Sequence, residues 1–153
     1  IKILGVEENL RMDINVPGLD FPIALKGKLD RIDEKDGVIR IIDYKTGNVS
    51  STQVEIIDWE GVIQDYNYSK AFQLLCYALM YNNIKPIRTI EAGIISFKNL
   101  SAGLLRFAVK DKKGSRNKDS SIDQETIADF LESLKTLILE IGNSQIPFTE
   151  KEV

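Results

Sequence analysis

Asp36-Gly37 stands between two apolar-rich runs, Gly27-Lys28-Leu29-Asp30-Arg31-Ile32-Asp33 and Val38-Ile39-Arg40-Ile41-Ile42, and an Asp-Gly pair so placed signals a two-residue β-hairpin loop. With those two residues as the loop, Lys35 faces Val38 and every cross-strand pair of residue numbers sums to 73. Asp30 is then expected directly opposite Asp43, with Cβ atoms roughly 5 Å apart. Lys45 shares the Asp43 face, because strand side chains alternate with period two. One face of the hairpin thus collects Asp30, Asp43 and Lys45. A bulge or a longer loop would shift this register by one and separate them.

Like charges set opposite each other weaken a strand pair by a few tenths to about 1 kcal/mol, so the arrangement needs a compensating partner. A hard divalent cation between the carboxylates is one such partner. The alternative is two exposed aspartates on a half-buried sheet, paired with nearby lysines and arginines. Either way, a strand apolar enough for a sheet interior ends in Asp43-Tyr44-Lys45 rather than in a turn. On the other face of the hairpin Asp33 is expected to meet Arg40, a pair worth at most about 1 kcal/mol if exposed.

Downstream, Ala71-Phe72-Gln73-Leu74-Leu75-Cys76-Tyr77-Ala78-Leu79-Met80 is apolar nearly all round and reads as a buried helix. Gln73 and Tyr77 are four residues apart and share one face of it. A buried glutamine needs a hydrogen-bonding partner, since an unsatisfied amide costs roughly 1 to 3 kcal/mol. The alternative has Gln73 emerging at the helix surface.

Gly27-x-x-Asp30-Arg31-x-Asp33, Ile42-Asp43-Tyr44-Lys45-Thr46-Gly47 and Gln73-x-x-x-Tyr77 together resemble the motif set of the PD-(D/E)xK nuclease superfamily, in family order and spacing. Among its branches the chain most resembles the nuclease domains of the RecB and AddB type, found at the C-terminal end of bacterial double-strand-break repair helicase-nucleases. The resemblance implies a restriction-endonuclease-like α/β fold, a mixed β-sheet flanked by helices. It implies a Mg²⁺-dependent deoxyribonuclease, an exonuclease in DNA repair or recombination. Asp30 and Asp43 become carboxylate ligands of Mg²⁺, for which Mn²⁺ can substitute, and the backbone carbonyl of Tyr44 a further ligand. Lys45 becomes the catalytic lysine, and Gln73 and Tyr77 line the active site. Oxygen ligands suit Mg²⁺, which keeps several waters and lowers the pKa of one that attacks phosphorus. A lysine can orient that water or neutralise charge growing on the phosphate oxygens. Glu7, in Ile3-Leu4-Gly5-Val6-Glu7, falls where many relatives carry an acidic residue and is expected to support the metal. Implied partners are DNA and a helicase region or subunit of a larger protein.

Two departures qualify the likeness. Many RecB and AddB relatives carry a metal-binding histidine on an upstream helix, whereas this chain holds no histidine; that helix is expected in a longer parent protein. Ile146-Pro147-Phe148-Thr149 resembles the stretch before an iron-sulfur cysteine cluster, yet Cys76 is the chain's single cysteine and reads as a core residue. No iron-sulfur cluster is therefore expected within the chain. The rival expectations are a nuclease-fold module that has lost catalysis and serves DNA binding or scaffolding, and a metal-dependent hydrolase of another phosphate ester.

With 153 residues, 43% of them apolar, residues 1–153 are expected to form one globular domain. No segment has the length of a membrane span or the pattern of a signal peptide. One unpaired cysteine suits a reducing interior, and the expected location is the cytoplasm. A net charge of −3 offers no general basic footprint, so DNA contact must rest on local lysines and arginines and on bound metal. Strands are expected at 2–6, 8–15, 22–34 and 38–46, followed by a loop-rich stretch at 48–68 whose Trp59, Tyr66 and Tyr68 either pack on the sheet or stack on bases. A helix at 69–81 and a strand hairpin at 88–98 and 104–110 come next. The basic run at 111–119 reads as a solvated loop that could also brush the DNA backbone. A capping box, Ser121-x-x-Gln124, opens a last helix expected to dock one side on the sheet.

Overall fold

An antiparallel meander opens the chain, with β1 (Lys2–Ile14), β2 (Ile23–Lys35) and β3 (Val38–Lys45) side by side; the structure, a computed structural model, describes residues 1–111 and 117–142. Asp36 and Gly37 carry φ of 53° and 81°, the paired positive values of a two-residue turn whose twist matches the strands it joins. Register follows from that turn: Lys35↔Val38, Glu34↔Ile39, Asp33↔Arg40, Ile32↔Ile41 and Arg31↔Ile42 all obey the expected sum. β1 is one strand rather than the expected two. Its register slips between Ile3 and Gly5, and Glu7 takes a φ of 50°, so the strand is distorted there without ending.

Past β3 the chain crosses over. The stretch expected to be loop-rich contains β4 (Glu55–Ile56) and α1 (Trp59–Gln64) between short 3₁₀ turns. Then α2 (Ser69–Ile84) leads to β5 (Thr89–Ser96), which lies parallel to β3. β3 therefore has β2 on one side and β5 on the other, which accounts for its nearly continuous apolar run. The strand expected at 104–110 is split at Phe107, whose side chain is fully buried. β6 (Leu104–Arg106) extends the main sheet beside β5, whereas β7 (Ala108–Lys110) joins β4 and β8 (Lys118–Asp119) in a second sheet. β9 (Ile122–Asp123) pairs with β5 and leads into α3 (Gln124–Gly142). The result is the mixed sheet flanked by helices expected of a restriction-endonuclease-like domain.

The start of α3 differs from expectation because Ile122 is drawn into the sheet. Asp123, not Ser121, caps the helix: its Oδ1 accepts the Thr126 N–H at 2.9 Å, and Thr126 Oγ1 accepts the Asp123 N–H at 3.4 Å. Gln124 instead donates to Asn82 Oδ1 at 2.7 Å and to the Ile87 carbonyl at 2.8 Å. α3 packs against α1 and α2 and against β9 of the main sheet, with Ile127, Phe130 and Leu134 in the core. Its Phe130 meets the rings of Trp59 and Phe72, with centroids 6.4 and 5.5 Å away. Trp59 and Tyr68 are thus packing residues, while Tyr66 stays exposed.

α2 buries Ala71 and every residue from Leu74 to Tyr81, as its apolar composition requires. Cys76 is among them, and burial pushes its thiol up to about 12, so it behaves as a small apolar group. Most of the basic run at 111–119, and Ile146 to Thr149, lie outside the described residues. No described helix is long and apolar enough to cross a membrane.

On the other face of the hairpin, Asp33 is completely buried. Arg40 Nε and Nη2 donate to its Oδ1 and Oδ2 at 2.7 and 2.8 Å, and Arg31 Nη2 lies 2.8 Å from Oδ2. The expected Asp33–Arg40 pair is therefore present, but as a buried cluster rather than a surface bridge. Hydrogen bonding from Arg40 holds the Asp33 carboxyl below the usual range. Its stabilising effect is present at neutral pH and disappears as pH falls through that lowered value. Removing one member of a buried pair strands the other charge, so Asp33→Ala should lower stability at pH 7 by about 3 to 5 kcal/mol. Urea unfolding checks this, and the deficit should shrink in acid.

Candidate active site

Beyond the Arg31↔Ile42 pair β2 and β3 cease to pair, and the Asp30 carboxylate bridges the gap: Oδ2 accepts the N–H of Tyr44 at 2.8 Å. This bond ties Asp30 to the residue next to Asp43 and brings the second aspartate to the same end of β3. Asp43 is only 5% exposed and stands beside Ile94 of β5 in the parallel ladder. Two residues further along the same face, Lys45 sets Nζ 2.8 Å from Asp43 Oδ2. The same ammonium donates to Gln73 Oε1 at 2.7 Å, and Gln73 Nε2 donates to the Tyr77 hydroxyl at 3.1 Å. A continuous polar chain thus runs from the end of β3 into α2. It supplies the partners that a glutamine on so apolar a helix requires.

Charge in this cluster is incompletely balanced. Burial raises the Asp43 carboxyl above its ordinary value; Lys45 opposes that shift and the neighbouring Asp30 adds to it. Although Lys45 is close, the buried Asp43 Oδ2 makes no hydrogen bond of proper geometry; the contact is ionic. Burial and the Asp43 charge likewise raise the Tyr77 hydroxyl, which therefore keeps its proton while accepting from Gln73.

Several supporting groups were invisible in sequence. Ser96, fully buried, lies beside Lys45 in the ladder; its Oγ donates to the Gly47 carbonyl at 2.6 Å and accepts the Val49 N–H at 3.1 Å. Asn99 Nδ2 donates to the Val49 carbonyl at 3.0 Å, and the Phe97 N–H donates to the Lys45 carbonyl at 2.9 Å. Together they clamp the segment that follows Lys45. No local pattern announces partners some fifty residues apart. Gly27 has a steric role, because a Cβ there would lie 2.9 Å from Tyr77 Cε1. Only the missing side chain lets α2 approach β2 this closely.

Of the residues singled out in sequence, Asp30, Asp43, Lys45, Gln73 and Tyr77 come together. Tyr44 contributes its N–H to Asp30, while its ring stacks on Phe97 with centroids 5.8 Å apart. Glu7 does not join them. Its side chain is 76% exposed and approaches Lys28 at 3.9 Å, and among the described residues no three Asp, Glu, His or Cys side chains are grouped to hold a metal. Glu7 also adopts a positive φ of 50°.

A central strand ending in a buried aspartate and a lysine, with a second aspartate from the adjacent strand, defines a restriction-endonuclease-like domain with the motif residues assembled. The model of the PD-(D/E)XK nuclease superfamily matches residues 1–152, and the chain belongs to that superfamily. The solved structure described as "Crystal structure of SSO0001" aligns with 92% of this chain and 51% of its own, at 16% identity and a TM-score of 0.43. The chain thus spans about half the length of that protein. No curated protein matches the chain significantly.

The raised pKa of Asp43 has a testable sign. Its folded-state value exceeds the ordinary 3.8, so the carboxyl favours the fold while protonated, and that contribution is lost as pH rises through the raised value. Asp43→Asn should therefore melt above wild type at pH 7 without added metal. The advantage should vanish below about pH 4, as thermal melts across pH will show.

Proposed function

We propose that this chain is the catalytic domain of a metal-dependent nuclease that hydrolyses DNA phosphodiester bonds, an exonuclease serving repair or recombination within a larger protein. Membership of a nuclease superfamily supports the reaction class. The observation that carries the reading is the convergence of Asp43 Oδ2, Lys45 Nζ and Gln73 Oε1 within 2.8 Å contacts, at a buried carboxylate oxygen without a hydrogen bond. Such an oxygen, with Asp30 adjacent, suits a hard cation. Asp30, Asp43 and the Tyr44 carbonyl are the groups that would hold Mg²⁺ or Mn²⁺, which when bound lowers the pKa of a coordinated water and screens phosphate charge.

The chain's own residues then have distinct tasks. Lys45 would orient the attacking water or neutralise the phosphate oxygens. Gln73 holds Lys45 in place through its Oε1, and Tyr77, a neutral phenol, anchors the other end of the Gln73 amide. The motif likeness to RecB and AddB domains supports a helicase region or subunit as partner. A buried lone cysteine agrees with a cytoplasmic setting.

One feature favours the rival, a nuclease-fold module without catalysis: Lys45 already pairs with Asp43, and no third acidic group is at hand among the described residues. Cleavage assays on single- and double-stranded DNA with Mg²⁺ or Mn²⁺ separate the two. Wild type should cleave, and Asp43→Ala and Lys45→Ala should each lose about a hundredfold or more. Equal, metal-independent background in all three would establish the inactive module.

A further inference from the structure

Ile42 and Tyr44 flank Asp43 on β3 and so point to the opposite face of the main sheet, away from α2. Strand register carries that face across five strands. Ile3, Asp33, Arg40 and Glu91 form one row, and Val6, Arg31, Ile42, Gly93 and Arg106 the next. Tyr44, Ile95 and Leu104 form a third. Side-chain contacts agree with the rows: Arg31 and Arg40 meet Asp33, Arg106 pairs with Glu91, and Phe97 stacks on Tyr44. Ile42 is buried under this layer, yet none of the apolar residues named here joins the core cluster to which α1, α2 and α3 all contribute. The described helices therefore pack on the Asp43 face. β3 and β5 are parallel, and parallel strands are as a rule covered by helices on both faces.

Composition of the open face points the same way. Val6 is 62% and Phe97 52% exposed, with Ile3 exposed beside them. Every cation on the rows is an arginine, although the chain has more lysine than arginine. Arginine and aromatic side chains are favoured at protein interfaces, where lysine is depleted. Charge specifies the occupant further: Arg31, Arg40 and Arg106 outnumber Asp33 and Glu91, and the buried Arg31 Nε has no hydrogen-bond partner. A second copy of the chain would set one positive surplus against another. We propose that this face is the seat of an α-helix supplied by a partner, apolar along one side and acidic at its borders. Its apolar side covers Val6, Phe97 and their neighbours, and its carboxylates meet the guanidinium groups.

The test presents the whole chain, without metal, to displayed helical peptides of about five turns, apolar along one side and randomised among Glu, Lys, Gln and Ala at its borders. Selected peptides should prefer Glu to Lys there. The best of them, labelled with fluorescein and followed by anisotropy, should bind about tenfold or more weakly to Val6→Lys and to Arg106→Glu. Replacing its glutamates by lysine should weaken binding to wild type and restore binding to Arg106→Glu. Lys85→Ala, an exposed residue at the far end of α2, should bind as wild type does. Val6 and Arg106 are exposed, so all variants should melt alike. Selection of no helix, preference for lysine at the borders, affinity unmoved by both face variants, or no recovery on charge exchange would each overturn the proposal. So would a dimer in sedimentation that Val6→Lys dissolves, which would make a second copy the occupant. Binding is read without cleavage, so the outcome stands apart from the nuclease reading.

Discussion

Burial of the Asp43 carboxylate, where β3, β5 and α2 meet, is the constraint from which the rest of the site follows. A charge removed from water is costly unless it is paired and hydrogen-bonded, and here the pairing is partial: Lys45 touches Oδ2 without satisfying it. Lys45 must in turn be held, and α2 does so through Gln73 and Tyr77. The close approach of α2 needs the missing side chain at Gly27. Each element around the cluster thus answers a demand created by one buried oxygen.

The same hairpin carries a contrasting solution on its reverse face. Asp33 is as buried as Asp43, yet both of its oxygens are met by arginine forks, and its carboxyl is held down rather than raised. Arginine supplies several donors in fixed geometry, whereas a lysine ammonium is a compact charge that moves on a flexible stem. The arginine face ties the two strands together through Asp33. The lysine face retains an acceptor oxygen without a hydrogen bond, beside a cation held by Gln73. Local conflicts left unresolved in this way are expected where a fold does its work.

Much of this hairpin was legible from the chain because its determinants lie close together in sequence. Asp36-Gly37 enforces the turn, the turn sets the register, and period-two alternation puts Asp43 and Lys45 on one face. The apolar run of α2 implied burial, and burial implied a partner for Gln73. Glu7, expected from the family likeness rather than from any local pattern, has its side chain exposed toward Lys28. The division of 104–110 at Phe107, and the cap shifted from Ser121 to Asp123, depended on which neighbouring strands competed for those backbone groups.

Local chemistry, then, dictated the hairpin and its register, and with them a face carrying acid and lysine, since turn geometry and side-chain alternation act over a few residues. How deeply Asp43 is buried, and what clamps the segment after Lys45, came from the assembled fold. These depend on β5 returning beside β3 beneath α2, and on Ser96 and Asn99 reaching groups some fifty positions earlier. Such contacts are set by how whole elements pack, and no stretch of neighbouring residues encodes them.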